Sequence, residues 1–190
     1  MAHFPTLEEV DAYWHGLRKG RPLPRRAEID PRGFQNALPG CFLLERISPH
    51  EARFRVAGSA LADLMGMDLR GMPFSALVVP DDRIRMRRLL DGMFRTPSRM
   101  RVEIRAGGSH RGDGAMLVLP LSDSGGEISQ ALGVVAVSGR PGACVPQRLC
   151  LGRGQLLPLT TRPAPRPEEM SARPPAARRR PRLVLVHPTL

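Results

Sequence analysis

Hydrophobic positions in the first twenty residues recur at helical spacing: Leu7, Val10, Trp14 and Leu17 share one face, and Arg18, Lys19 and Gly20 close the segment. Thr6-Leu7-Glu8-Glu9 has the form of a capping box and predicts where this helix starts. Residues 20–26 hold two prolines, which keep them extended as a strap. Asp30-Pro31 then reads as an N-cap and first helical residue, opening a short turn that carries Phe34 and Leu38 inward.

From residue 41 the period shortens. Residues 41–47 and 51–57 are β-prone runs separated by Ser48-Pro49-His50, which predicts a hairpin, with Phe54 and Val56 on one face of the second strand and Arg53 and Arg55 on the other. Ser59 is placed as the cap of a short helix carrying Leu61 and Leu64 and ended by Gly66, and Leu69-Arg70-Gly71 is a turn. After Pro80, Asp81 opens a longer helix whose buried stripe is Met86, Leu89, Leu90, Met93 and Phe94; Arg87 and Asp91 on another face are spaced to pair. Residues 100–106, 115–121 and 131–137 read as three strands joined by loops rich in Gly, Ser and Asp, hence as an antiparallel meander. The predicted class is α+β: an N-terminal helix, two strands, a helical crossover and three more strands in a five-stranded antiparallel sheet.

Composition changes this picture mainly at the C-terminus. At 42% hydrophobic residues the 190-residue chain is ordinary for a globular protein. Residues 141–190, however, contain ten of the 20 prolines and nine Arg against two Glu, so most of the net charge of +11 lies there. The expected organisation is a helix and strap over 1–40, a core domain over 41–140 and an Arg/Pro-rich disordered tail over 141–190. Of 29 Lys and Arg, only Lys19 is a lysine, a bias expected of GC-rich coding that raises the isoelectric point without selection for a polyanion. Three cysteines without a CxxC pair argue against a disulfide framework or a metal site. The acidic start lacks the form of a signal peptide, and the run 131–137 is far shorter than the roughly 18–20 residues of a membrane span, so a cytoplasmic chain without membrane insertion is expected.

Several blocks occur in a telling order: Tyr13-Trp14-His15-Gly16-Leu17-Arg18-Lys19-Gly20-Arg21, Pro24-Arg25, Ile29-Asp30-Pro31, Leu38-Pro39, Phe42-Leu43-Leu44, Phe54-Arg55-Val56-Ala57-Gly58, Leu69-Arg70-Gly71 and Val118-Leu119-Pro120-Leu121. Together they resemble a small PAS-like family of alphaproteobacterial proteins that open with a YWxxLRxGRxxPxRxDIDP segment. The resemblance runs from about Leu7 to Val137. It implies the PAS fold, a five-stranded sheet cupping a pocket under crossover helices, and a stand-alone signalling module with no catalytic residues to carry over. On that fold the pocket lining falls to Phe42, Leu44, Phe54, Val56, Leu61, Leu64, Val102 and Ile104.

No cofactor is expected. Haem-binding PAS domains commonly take an axial histidine from the crossover, yet residues 59–94 contain none; His3, His15, His50, His110 and His187 lie elsewhere. Photoactive flavin PAS domains need a cysteine at the start of a crossover helix, whereas Cys41 begins a strand and reads as a buried structural thiol. Ser59 lies outside a GxSxG elbow, residues 107–114 lack the GK[ST] of a phosphate loop, and Asp81 and Asp82 suit a helix start. Trp14, Arg18, Arg21, Arg25 and Asp30 form a further group, read either as a clasp in which the arginines hold Asp30 or Glu28 or as a partner surface.

These observations favour a non-enzymatic sensory or signalling module acting through protein–protein interaction, as a homodimer or with a signalling partner, with room for a small-molecule ligand. The alternative is a nucleic-acid-binding protein using the basic tail and the Arg-rich face of residues 83–88. The 4% aromatic content and the lack of an RNA- or DNA-binding signature argue against nucleic acid.

Overall fold

In the computed structural model, the described residues are 4–106, 113–138 and 146–159. The expectations for His3, His110, Cys144, His187, the 107–112 turn and the tail beyond residue 159 lie outside them. The elements are α1 (Pro5–Arg18), β1 (Cys41–Ser48), β2 (Glu51–Ala57), α2 (Ser59–Met65), α3 (Arg83–Arg95), β3 (Ser98–Ala106), β4 (Asp113–Ser122), β5 (Ile128–Val137) and β6 (Leu149–Pro158), with short 3-10 turns before β1 and between α2 and α3. All ladders are antiparallel, in the order β2-β1-β5-β4-β3-β6.

The central strands are apolar on both sides, as strands sandwiched between layers must be. In β4, Met116 and Val118 face one layer while Leu117, Leu119 and Leu121 face the other. The concave layer is closed by α2, α3 and the turn Phe74–Leu77, which bury Leu61, Leu64, Phe74, Leu77, Met86, Leu90 and Met93. The outer layer is closed by α1 and the turn Pro31–Gly40, through Leu7, Val10, Trp14 and Phe34.

Three local expectations change. Helix α1 begins at Pro5 without a side-chain cap, because the cap position holds Phe4, which has no acceptor; Thr6 sits inside the helix rather than capping it. Helix α3 begins at Arg83, so Asp81, expected to open it, lies in the preceding 3-10 turn, and Asp82, at the cap position, accepts from β6 with its carboxylate instead of capping. Ser59 is the first residue of α2, with Gly58 at the cap position. By contrast Asp30 caps as expected, its Oδ1 accepting from the Arg32 N–H at 3.0 Å.

The sheet has six strands, not five. Strand β6 lies in the segment read as tail, and it pairs with β3 from Ser98↔Pro158 to Ala106↔Leu149. Leu149 and Leu151 are buried, but Gly152 and Gly154 interrupt the apolar alternation that marks a strand. Those glycines lie against the Glu103 backbone and the Leu89 side chain, where a Cβ would be crowded. A register shift between Val102 and Ile104 fits the extra length in.

Candidate functional site

Seven of the eight expected pocket residues come together on the concave face: Phe42, Leu44, Phe54, Leu61, Leu64, Val102 and Ile104, none more than 4% exposed. Phe42 and Phe54 meet Phe74 in a triangle with ring centroids 5.5–5.6 Å apart. The rings are tilted or edge-on, the arrangement aromatic quadrupoles favour. Room for the Phe42 ring exists because its partner on β5 is Gly133, where a Cβ would run into the ring. Phe74, central to this face, starts an apolar segment legible in the sequence but was not among the expected pocket residues, because its short 3-10 turn carries no strand or helix period to assign it a face.

Val56 is not part of this face and is 51% exposed. Leu43 pairs with Val56 but Leu44 pairs with Phe54, so Arg55 is an extra residue on β2. Such a bulge breaks the two-residue alternation and turns every side chain beyond it to the opposite face.

Polar contacts hold the concave face shut. Glu51 accepts from the Ser75 Oγ–H at 2.5 Å and the Ser75 N–H at 3.2 Å, and lies 3.5 Å from Arg87. It thereby joins β2, the Phe74–Leu77 turn and α3. Arg87 pairs with Glu51 rather than with Asp91, which lies against Arg95 at 3.2 Å and His50 at 3.9 Å. Spacing along one helix could not reveal a carboxylate supplied by a neighbouring hairpin. Asp82 Oδ2 accepts from the Leu151 N–H at 2.7 Å, and Arg85 donates to the Leu151 and Gly152 carbonyls, so α3 also fastens β6. With Arg85 and Arg87 engaged and Arg83 half-buried, the 83–88 segment is not a free basic face.

The N-terminal group is a clasp built on Glu28, not on Asp30. Arg21 Nη2 donates to both Glu28 carboxylate oxygens at 2.8 Å, the Arg25 N–H donates to Oε2, and the Arg18 Nε–H donates to the Arg21 carbonyl. The Arg21 hydrogen bond holds the Glu28 carboxyl below its usual range. Asp30 takes part through its backbone N–H, which donates to the Tyr13 hydroxyl at 2.7 Å. Trp14 is fully buried; its Nε1–H donates to the Pro120 carbonyl at 3.1 Å while the Arg18 guanidinium lies over its ring. Arg99, which the sequence reading passed over, meets both Asp11 oxygens at 2.7 and 2.9 Å and ties β3 to α1. Burial pushes the Cys41 thiol up to about 12, the state of an unreactive structural cysteine. Among the described residues no group of three His, Cys, Asp or Glu side chains could hold a metal.

A different cleft, of about 640 Å³, lies between the strap and β2 and is lined by Arg26, Arg53, Arg55 and Arg70 above Leu43, Val56 and Gln130. These arginines come from three separate elements, so no local motif announces them.

An antiparallel sheet with a helical crossover between its second and third strands defines the class: an α+β module of PAS type. The sequence matches the family described as PAS domain over residues 1–136, and the chain belongs to that family. No curated protein matches it. Among solved structures, a light-oxygen-voltage domain studied with a flavin analogue is similar at 16% identity and a TM-score of 0.39, over 57% of this chain and 84% of that one. No helix among the described residues is long and apolar enough to cross a membrane.

Proposed function

We propose that the chain is a non-enzymatic PAS module of the cytoplasm that passes its state on by contact, between two copies of itself or with a signalling partner. The observation that carries this reading is the use already made of its apolar surfaces. The aromatic triangle fills the centre of the concave face, and the apolar stripe of α1 is buried against the chain's own sheet. Large hydrophobic side chains left exposed include Ile47 beside the β1–β2 turn, Val56 toward the opposite end of that hairpin and Ile84 on α3. Of these, Ile47 is the side chain taken as the anchor of the association. A ligand on the concave face would act by parting the triangle and so altering the hairpin that carries both residues.

Sedimentation of the full chain over a range of concentrations tests the reading. Self-association at micromolar concentration is expected, weakened at least tenfold by Ile47→Arg. A chain that stays monomeric throughout, and that recovers no signalling protein distinguishing wild type from Ile47→Arg, would overturn it.

A further inference from the structure

We infer that the cleft between the strap and β2 binds a small multivalent oxyanion, phosphate or carboxylate, carried on an apolar or planar body. Its volume of about 640 Å³ is of small-molecule size. Four arginines, Arg26, Arg53, Arg55 and Arg70, line it and no carboxylate does; Glu45 lies 2.7 Å from Arg53 and 3.8 Å from Arg55. The guanidiniums of Arg26 and Arg70 form no ion pair with a carboxylate of the described residues; Asp68 meets Arg70 only at its backbone N–H. Like charges gathered round one cleft repel, and a bound anion removes that repulsion while using the planar, forked donors to which oxyanions are suited.

The walls are held by the backbone. The Arg70 turn is fastened to β2 by the Gly71 N–H donating to the Phe54 carbonyl at 2.8 Å and the Phe54 N–H donating to the Met72 carbonyl at 3.0 Å. Gly71, at φ +82°, occupies a conformation that other residues rarely adopt, and Asp68 Oδ1 accepts from the Arg70 N–H at 2.9 Å. On the opposite wall, Glu28 holds the Arg26–Glu28 turn through Arg21 and the Arg25 N–H, and the Ser122 N–H donates to the Pro24 carbonyl at 3.0 Å. Such fixed walls lower the ordering cost of binding. The floor offers the apolar side chains of Leu43 and Val56, which suit the body of the ligand rather than its charge.

The test is equilibrium binding to the full chain at physiological ionic strength, with citrate, inorganic pyrophosphate and adenosine triphosphate as probes and a short DNA duplex as comparison. Saturable one-to-one binding of at least one small anion is expected, with the three probes separating carboxylate from phosphate recognition and a bare anion from one on a planar body. Arg26→Ala/Arg70→Ala should weaken it at least tenfold. Arg88→Ala/Arg105→Ala, which removes the same charge from exposed positions elsewhere, should change it less than twofold. Equal weakening by both double variants, binding of the duplex alone, or no saturable binding of any small anion would overturn the inference. Because Ile47 lies outside the cleft lining, loss of anion binding and loss of self-association are read separately.

Discussion

The concave and outer faces of one sheet are both buried, yet they are closed in different ways. On the concave face, α2, α3 and the Phe74–Leu77 turn arrive through the crossover over an apolar core centred on three phenylalanines. On the outer face, α1 comes from the start of the chain and is located by directional contacts: Trp14 on the Pro120 carbonyl, Asp11 on Arg99, Tyr13 on the Asp30 N–H. Apolar burial is strong but non-directional, so it brings a helix to a sheet without choosing its position. Polar contacts do the choosing on both faces: Trp14, Asp11 and Tyr13 locate α1, while Glu51 with Ser75 and Arg87, and Asp82 and Arg85 on β6, locate the crossover elements.

The largest test of this contrast is Phe54→Ala. Removing one ring of the triangle should destabilise the protein by about 3–5 kcal/mol, as large core truncations do. Urea denaturation measures it; a loss under about 1 kcal/mol would mean that the concave face is loosely filled. Trp14→Phe, on the outer face, keeps most of the apolar area but leaves the Pro120 carbonyl without its donor, a cost of about 1–3 kcal/mol. A loss under about 1 kcal/mol would mean that α1 does not depend on this hydrogen bond.

The smallest expected effect concerns pH. His15 on α1 has its pKa lowered from 6.5, chiefly because burial disfavours the imidazolium, with the nearby Arg99 and Arg18 adding to the shift and Asp11 opposing it. The unfolded chain therefore takes up a proton near pH 6.5 that the folded chain takes up only at lower pH. Stability is full above 6.5 and declines as the pH falls through that value and toward the folded pKa. Chemical denaturation from pH 8 to 5 should show a shallower decline in His15→Gln than in wild type; parallel curves would place the pH dependence elsewhere.

Much of the fold was legible in the sequence wherever one period ran undisturbed. Leu7, Val10 and Trp14 at helical spacing, the Asp30-Pro31 cap, the Ser48-Pro49-His50 hairpin and the apolar runs of β4 and β5 all became the elements they indicated. Where a bulge or close backbone approach broke the period, the reading failed. Arg55 reversed Val56, and Gly152 and Gly154 concealed β6. Seven concave-face residues were legible because each sits on a periodic element; the facing of Phe74 was not.

Sequence alone was sufficient to determine the element order as far as β5 and the inward side of most strands, because local spacing dictates which residues must leave water together, while the PAS class rested on the resemblance of its motif blocks. Only the tertiary structure decided that Glu28 rather than Asp30 receives the clasp, that Arg87 answers Glu51, and that Arg26, Arg53, Arg55 and Arg70 share a cleft. Each of those pairings joins elements separated along the chain, and a charged side chain carries no periodic signal of which distant partner the fold will bring within reach.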